Sequence, residues 1–188
     1  MIVSVENAAA ANYATVIPTS ELKNHLRVTT SDDDALINSY RTAACQFVEN
    51  YCNTRLTSQS VYFYARSFGA IAEFPISPVI SVAAVEYKTS QSGSYISYNS
   101  SNYYVESARI PALIKFITAP SVDNNALAPI RITATCGYAT TPEPLVQAVR
   151  LLVAHFYENR QAAEVGNVRE IPLGIKSLMN TYRSISFI

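Results

Sequence analysis

The spacing of apolar and polar positions changes character twice along the chain. Between residues 31 and 53 it is helical: Leu36, Ile37, Tyr40, Ala43, Ala44, Phe47, Val48 and Tyr51 fall on one stripe at a period near 3.6. Ser31-Asp-Asp-Asp34 precedes the stripe and predicts a cap with acidic first-turn residues, which suit the positive end of a helix. A shorter helix, Glu21 to Arg27, comes before it, with Leu22 and Leu26 on one face and Thr19 or Ser20 as its cap. Residues 1–18 read as a strand or arm, then an Ala/Asn-rich link ending at Pro18.

From about Leu56 to Gly137 the pattern turns to short runs of β-branched and aromatic residues separated by turn signals. Ser60 to Arg66, Val79 to Tyr87, Ser94 to Tyr98, Tyr103 to Glu106, Leu113 to Ile117 and Ile130 to Cys136 are the expected strands. Phe74-Pro-Ile-Ser-Pro-Val79 and Ser90 to Gly93 are expected turns. Strands this short and this closely spaced predict an antiparallel β lobe. Tyr95, Tyr98, Tyr103 and Tyr104 cluster within it. Such a cluster can stack on bases, but no Lys or Arg is interleaved with it, and cross-strand packing is the ordinary explanation.

Helical spacing returns after Pro142-Glu-Pro144. Leu145, Ala148, Val149, Leu152, Val153, Phe156 and Tyr157 share a face, and the run ends Tyr157-Glu-Asn-Arg160. Gln161 to Glu170 reads as a linker, with Gly166 as a helix stop. Pro172 suits the first turn of a last helix, where its missing N–H is not needed, and Leu178, Met179 and Tyr182 can pack from that helix. Ser184 to Ile188 is an apolar tail. The pattern as a whole predicts an α+β fold. A helical bundle is built from residues 19–55 and 142–183, an antiparallel β lobe at 56–138 is inserted into it, an arm (1–18) precedes it and a tail (184–188) follows.

Composition narrows the function. Hydrophobic residues make up 49% of the 188 and charged residues 15%, enough for a sizeable core and a surface poor in charge. That balance favours an oligomer that buries surface between subunits. The 14 basic and 14 acidic residues cancel, which argues against a nucleic-acid reader, whose affinity needs a basic footprint. The N-terminus has no basic n-region followed by an apolar run, so no signal peptide is expected, and no segment is apolar for ~20 residues as a membrane span requires.

Candidate chemistry is sparse. Three cysteines occur, at 45, 52 and 136, with no CxxC pair. Cys45 and Cys52 lie two turns apart on one helix face, about 11 Å, too far for a disulfide, and read as small buried hydrophobes. Asp32 to Asp34 lacks the Gly and closing Glu of a calcium loop. His155 and Glu158 stand one turn apart, but a di-metal bundle needs a second such pair and two more carboxylates. HExxH, GxSxG, P-loop and GxGxxG motifs do not occur. No catalytic, metal or cofactor site is expected.

The order and spacing of several pieces resemble one known family. These are Leu22-Lys-Asn-His-Leu-Arg-Val28, Ser31-Asp-Asp-Asp-Ala-Leu-Ile37, Ala43-Ala-Cys-Gln-Phe-Val-Glu-Asn-Tyr51 with Thr54-Arg55, and Phe74-Pro-Ile-Ser-Pro-Val-Ile-Ser-Val82 with Val85-Glu-Tyr87. Ile132-Thr-Ala-Thr-Cys-Gly-Tyr138, Val146 to Arg160, and Ile171-Pro-Leu to Tyr182-Arg183 complete the set. From about residue 19 to 183 the chain resembles the head–tail connector (adaptor, or head-completion) proteins of long-tailed bacteriophages, in their longer form with an inserted β lobe. The Ala-rich segment before the first helix and the Tyr-rich turns depart from the pattern.

The resemblance implies a non-enzymatic virion protein of the neck, made in the bacterial host cytoplasm. It implies a ring, typically twelvefold, beneath the portal protein. Such a ring extends the DNA channel without sequence-specific binding and docks a stopper or tail-completion protein; no membrane is involved. Candidate portal contacts are Lys176, Tyr182, Arg183, Ile185, Phe187 and Ile188. Candidate ring contacts are Tyr40, Phe47, Tyr51, Tyr157 and Arg160. A stopper or tail-terminator protein of the same neck is a competing reading, against which the strong flanking helices argue. A small enzyme whose site assembles only in three dimensions is another, and so is a DNA-binding module.

Overall fold

The computed structural model describes residues 2–69, 71–123, 125–159 and 173–184. They form an α+β fold in two compact units. One unit holds residues 12–57 and 138–183, the other residues 2–11, 58–137 and Ser184.

The helical unit contains α1 (Thr19–Leu26), α2 (Asp34–Cys52), α3 (Glu143–Glu158) and α4 (Leu173–Asn180). In its core Leu22 of α1 and Leu145, Ala148, Val149, Leu152 and Val153 of α3 are buried as their stripes predict, but the buried face of α2 is turned from its stripe: Ile37, Ala44, Cys45, Val48, Glu49 and Cys52 are buried, Leu36, Tyr40, Phe47 and Tyr51 are half-buried and Ala43 is exposed. On α4 the buried residues are Ile175 and Met179, whereas Leu178 is half-buried.

The helix starts differ from expectation. Pro18 is the residue preceding α1, and neither Thr19 nor Ser20 caps it. The Thr19 hydroxyl instead donates to Asn38 Oδ1 at 2.7 Å, and Arg41 Nη1 donates to Thr19 Oγ1 at 3.1 Å and to the Ile17 carbonyl at 3.3 Å. Likewise no side chain caps α2. Asp34 pairs with Lys23 at 2.7 Å, and Asp33 accepts from the Tyr157 hydroxyl. Contacts between helices outcompete local caps at both starts. The far end of α2 follows the local rule: Asn53 stops it in the left-handed region at φ 52°.

The β unit contains two antiparallel sheets. The larger has the order β1 (Ile2–Asn7), β2 (Gln59–Ala65), β8 (Ile130–Cys136), β4 (Val79–Tyr87), β5 (Ile96–Ser97). The smaller has the order β3 (Ile71–Glu73), β7 (Leu113–Phe116), β6 (Tyr103–Glu106). Residues 2–7, read as a strand or arm, are therefore an edge strand. Alternation along β2 and β8 sends Val61, Phe63, Ala65, Ile130, Ile132, Ala134 and Cys136 inward. They meet Phe74, Ile76, Ile114 and Phe116 in one core, where Phe63 and Phe74 pack edge to face at 5.0 Å.

The tyrosine cluster divides. Tyr98 is buried, stacks on Tyr103 at 6.1 Å and packs against Phe68 and Phe116. Tyr104 points to solvent, 67% exposed. Tyr95 lies on the opposite, polar side of the large sheet, with Lys88 4.4 Å and Arg131 4.3 Å from its ring. The cations that the local sequence lacks are thus supplied by β8 and by Lys88, the residue after β4.

Candidate assembly interface

The chain passes between the two units after residues 11, 57, 137 and 183. Within the helical unit, the segments beside these crossings attach to the C-terminal end of α2 or to the residues that directly follow it. The Tyr13 hydroxyl donates to Glu49 Oε2 at 3.0 Å, and the Leu56 amide donates to Glu49 Oε1 at 2.9 Å. Thr141 Oγ1 donates to the Leu56 carbonyl at 2.8 Å, and Tyr138 shares a side-chain hydrogen bond with Thr54. The Arg183 guanidinium lies over the Tyr51 ring at 5.2 Å.

Glu49 is the centre of this arrangement and is only 3% exposed. Burial raises its pKa, while the bonds from Leu56 and Tyr13 and the charge of Arg55 oppose the rise. Burial also raises Tyr13, with Glu49 adding to the effect. It pushes the neighbouring Cys45 thiol up to about 12, again with a contribution from Glu49. The position was legible: Glu49 lies four residues after Cys45 and three before Cys52, on the apolar face of α2.

Two candidate ring residues, Phe47 and Tyr51, and one candidate portal residue, Arg183, meet at the same end of α2. Phe47 and Tyr51 stack at 6.2 Å, and the Tyr51 hydroxyl donates to Asn180 Oδ1 of α4 at 2.8 Å. Cys52 Sγ donates to the Met179 carbonyl at 3.5 Å. Phe47, Tyr51, Lys176 and Tyr182 are half-buried and Arg183 is exposed. Tyr51, a candidate ring contact, and Arg183, a candidate portal contact, are neighbours here, and Asn180 joins them by accepting from the Tyr51 hydroxyl and from the Arg183 amide.

Tyr40 and Tyr157 lie elsewhere on the unit. Tyr40 packs on Phe156 with ring centroids 6.1 Å apart, and Tyr157 binds Asp33. Both give part of their surface to contacts within the subunit. Arg160, Ile185, Phe187 and Ile188, with the expected linker at 161–170, lie outside the described residues.

A second surface is the polar face of the large sheet. Arg131 pairs with Glu86 at 2.8 Å and lies against Tyr95 and Tyr62, while the Tyr64 hydroxyl donates to Glu6 at 2.9 Å. A recess of about 380 Å³ is lined by Tyr87, Ser97, Tyr98, Asn99, Asn102 and Thr118 among others. Its polar lining consists of phenol, hydroxyl and amide side chains. Among the described residues no His/Cys/Asp/Glu group is arranged to hold a metal ion, and no helix is long and apolar enough to cross a membrane.

Residues 15–185 match the sequence model of the family described as head completion protein. The chain belongs to the head completion protein family. Membership places it among structural proteins that complete the head of a phage-like particle. No curated protein matches it in sequence.

Three solved chains share the fold of this head completion protein along nearly their whole length. One comes from the neck of an empty gene transfer agent (GTA) particle computed with C6 symmetry: 24% identity, TM-score 0.81, covering 99% of this chain and 98% of that one. A second is from the virion of a native GTA particle, at 24% identity and TM-score 0.80, with the same coverage. A third is from the neck of a native GTA particle computed with C12 symmetry, at 23% identity and TM-score 0.77, again with 99% and 98% covered. The α+β expectation and the family resemblance both hold.

Proposed function

We propose that this head completion protein is a structural head–tail connector of the virion neck. Made in the bacterial host cytoplasm, it assembles as a homo-oligomeric ring, twelvefold in the particle, under the portal. There it extends the DNA channel and docks a stopper or tail-completion protein. The observation that carries this reading is family membership spanning residues 15–185. The fold shared with GTA neck chains supports it.

Physical features of the chain agree. A ring closes through head-to-tail interfaces, and the chain offers half-buried aromatic rings, Phe47 and Tyr51, beside the exposed Arg183. Aromatic and arginine side chains are the usual anchors of protein interfaces. Lys176, Tyr182, Arg183 and the tail residues Ile185, Phe187 and Ile188 form the portal contact in this reading, and Tyr40, Phe47, Tyr51, Tyr157 and Arg160 the ring contact. Zero net charge suits a channel through which DNA slides without sticking. The protein has no catalytic role in this account.

The test is co-sedimentation with portal rings of the same particle. The wild type should pellet with the rings, and Lys176→Glu with Arg183→Glu should remain in the supernatant. Wild-type protein that never pellets contradicts the proposal.

A further inference from the structure

We propose that the large sheet continues from one copy of this chain to the next, the outer edge of β1 in one copy pairing antiparallel with the outer edge of Val79 to Ala84 in β4 of its neighbour. The proposal rests on the ring reading above and names a subunit contact on the β unit, apart from the helical residues assigned to the ring.

Both edges are open. β2 pairs with one side of β1, and among the described residues no strand pairs with the outer side of Ile2 to Glu6. β8 pairs with one side of β4 along its length. On the other side β5 reaches only Glu86 and Tyr87, and the Tyr98 N–H donates to the Val85 carbonyl. Among the described residues no strand pairs with the outer side of Val79 to Ala84, a stretch without charge. An open edge that carries neither charge nor proline is a template for another strand. The smaller sheet offers less, since its outer strands β3 and β6 have three and four residues.

Strand direction selects the partner. Each neighbouring pair in the order β1-β2-β8-β4 is antiparallel, so β1 and β4 run in opposite directions. A second copy carried along the sheet without being turned over therefore lays its β1 antiparallel beside β4, and the alternation continues unbroken. That contact is head-to-tail, the kind from which a ring closes. Pairing β1 with β1, or β4 with β4, needs a two-fold axis and stops at a dimer.

Side chains fix the register. Val5 lies opposite the buried Phe63 of β2, and Val82 opposite the buried Ala134 of β8, so both stand on the core face at its two rims. Neither is fully covered: Val5 is 36% exposed and Val82 is half-buried. Setting Val5 of one copy opposite Val82 of the next joins the two cores, whereas a slip of one residue brings the polar face of β1 to that position. The charge on β1, Glu6, is held by the Tyr64 hydroxyl at 2.9 Å. The β4–β8 register shifts between Val79 and Ser81 and again between Val82 and Ala84. Such bulges bend a strand and keep the contact to a few residues. Contacts of that size are individually weak and tighten together when a ring closes.

The test is oxidative cross-linking of the full chain, concentrated alone and bound to portal rings, read on non-reducing gels. In the chain carrying both Val5→Cys and Val82→Cys, two strands separate the new thiols, a distance of about 14 Å, too far for a link within one copy. A ladder of dimer, trimer and larger species is expected. Singly substituted chains should link only when the two are mixed, and only to a dimer. Either one linking to itself would reveal a two-fold contact and overturn the proposal. Ala83→Lys, at an exposed position, added to the doubly substituted chain should abolish the ladder and leave the urea midpoint unchanged. A ladder that survives the lysine also overturns the proposal. A ring seen by light scattering without any ladder overturns this contact and leaves the ring reading standing. Protein that forms neither ring nor ladder, alone or with the portal, overturns both.

Discussion

Tyr13 and Glu49 are 36 residues apart in sequence, and the phenol of one donates a buried 3.0 Å hydrogen bond to the carboxylate of the other. With the Leu56 amide on the second oxygen, this carboxylate holds together the first and second crossing segments of the helical unit. Removing it leaves a buried N–H and a buried hydroxyl without partners. Glu49→Ala should cost about 2–4 kcal/mol, read as a lowered urea midpoint. An unchanged midpoint would show that the carboxylate is not a structural centre.

Glu49→Gln tests the ionisation separately. The Gln carbonyl can accept from Leu56 while its amide donates to the Tyr13 oxygen, so both contacts survive. Burial raises the carboxyl pKa in the fold above its ordinary 4.5. The folded state therefore binds the proton more tightly than the unfolded chain. The stability this contributes is present at low pH and is lost as pH rises through the folded value. The stability of Glu49→Gln relative to wild type should rise across that window and then level off. A pH-independent difference would contradict the assignment.

All three cysteines are buried. Burial lifts Cys45 to about 12 and Cys52 to about 11, so almost no thiolate of these two exists at pH 8, and Cys136 is out of reach by burial. A thiol reagent at pH 8 should modify none of the three in the native protein and all three in denaturant. Rapid native labelling would place a cysteine at the surface.

In the β core, Phe63 is fully buried against Phe74. Phe63→Ala should cost about 3–5 kcal/mol, measured by denaturant unfolding. Arg131→Ala, on the partly exposed face of the same sheet, loses an ion pair and ring contacts and should cost about 1 kcal/mol. Equal losses for the two would mean that the core does not lie between the sheets.

Where a single physical signal dominated, the sequence was readable. β4, β6 and β8 fall at their expected residues because β-branched or aromatic runs mark them. The α3 stripe marks its buried face, whereas on α2 the buried face is turned from the stripe toward Cys45, Glu49 and Cys52. β3 was not seen: three residues are too few to show a period. The expected strand at Ser94–Tyr98 shrinks to Ile96–Ser97, and the backbone at Tyr98 already turns toward Val85. Sheet order was not readable either. β8 comes last in sequence and sits in the middle, between β2 and β4. The Tyr51–Asn180 and Arg183–Tyr51 contacts join α2 to α4 and to the turn after it, far apart in sequence, and local spacing holds no trace of them.

The central claim is that this head completion protein binds a portal ring in fixed proportion. Light scattering of the protein alone, and of the protein mixed with portal rings from the same particle, tests it most directly. The account predicts a complex of fixed stoichiometry, one subunit for each portal subunit. A protein whose mass ignores the portal at every salt concentration would contradict it.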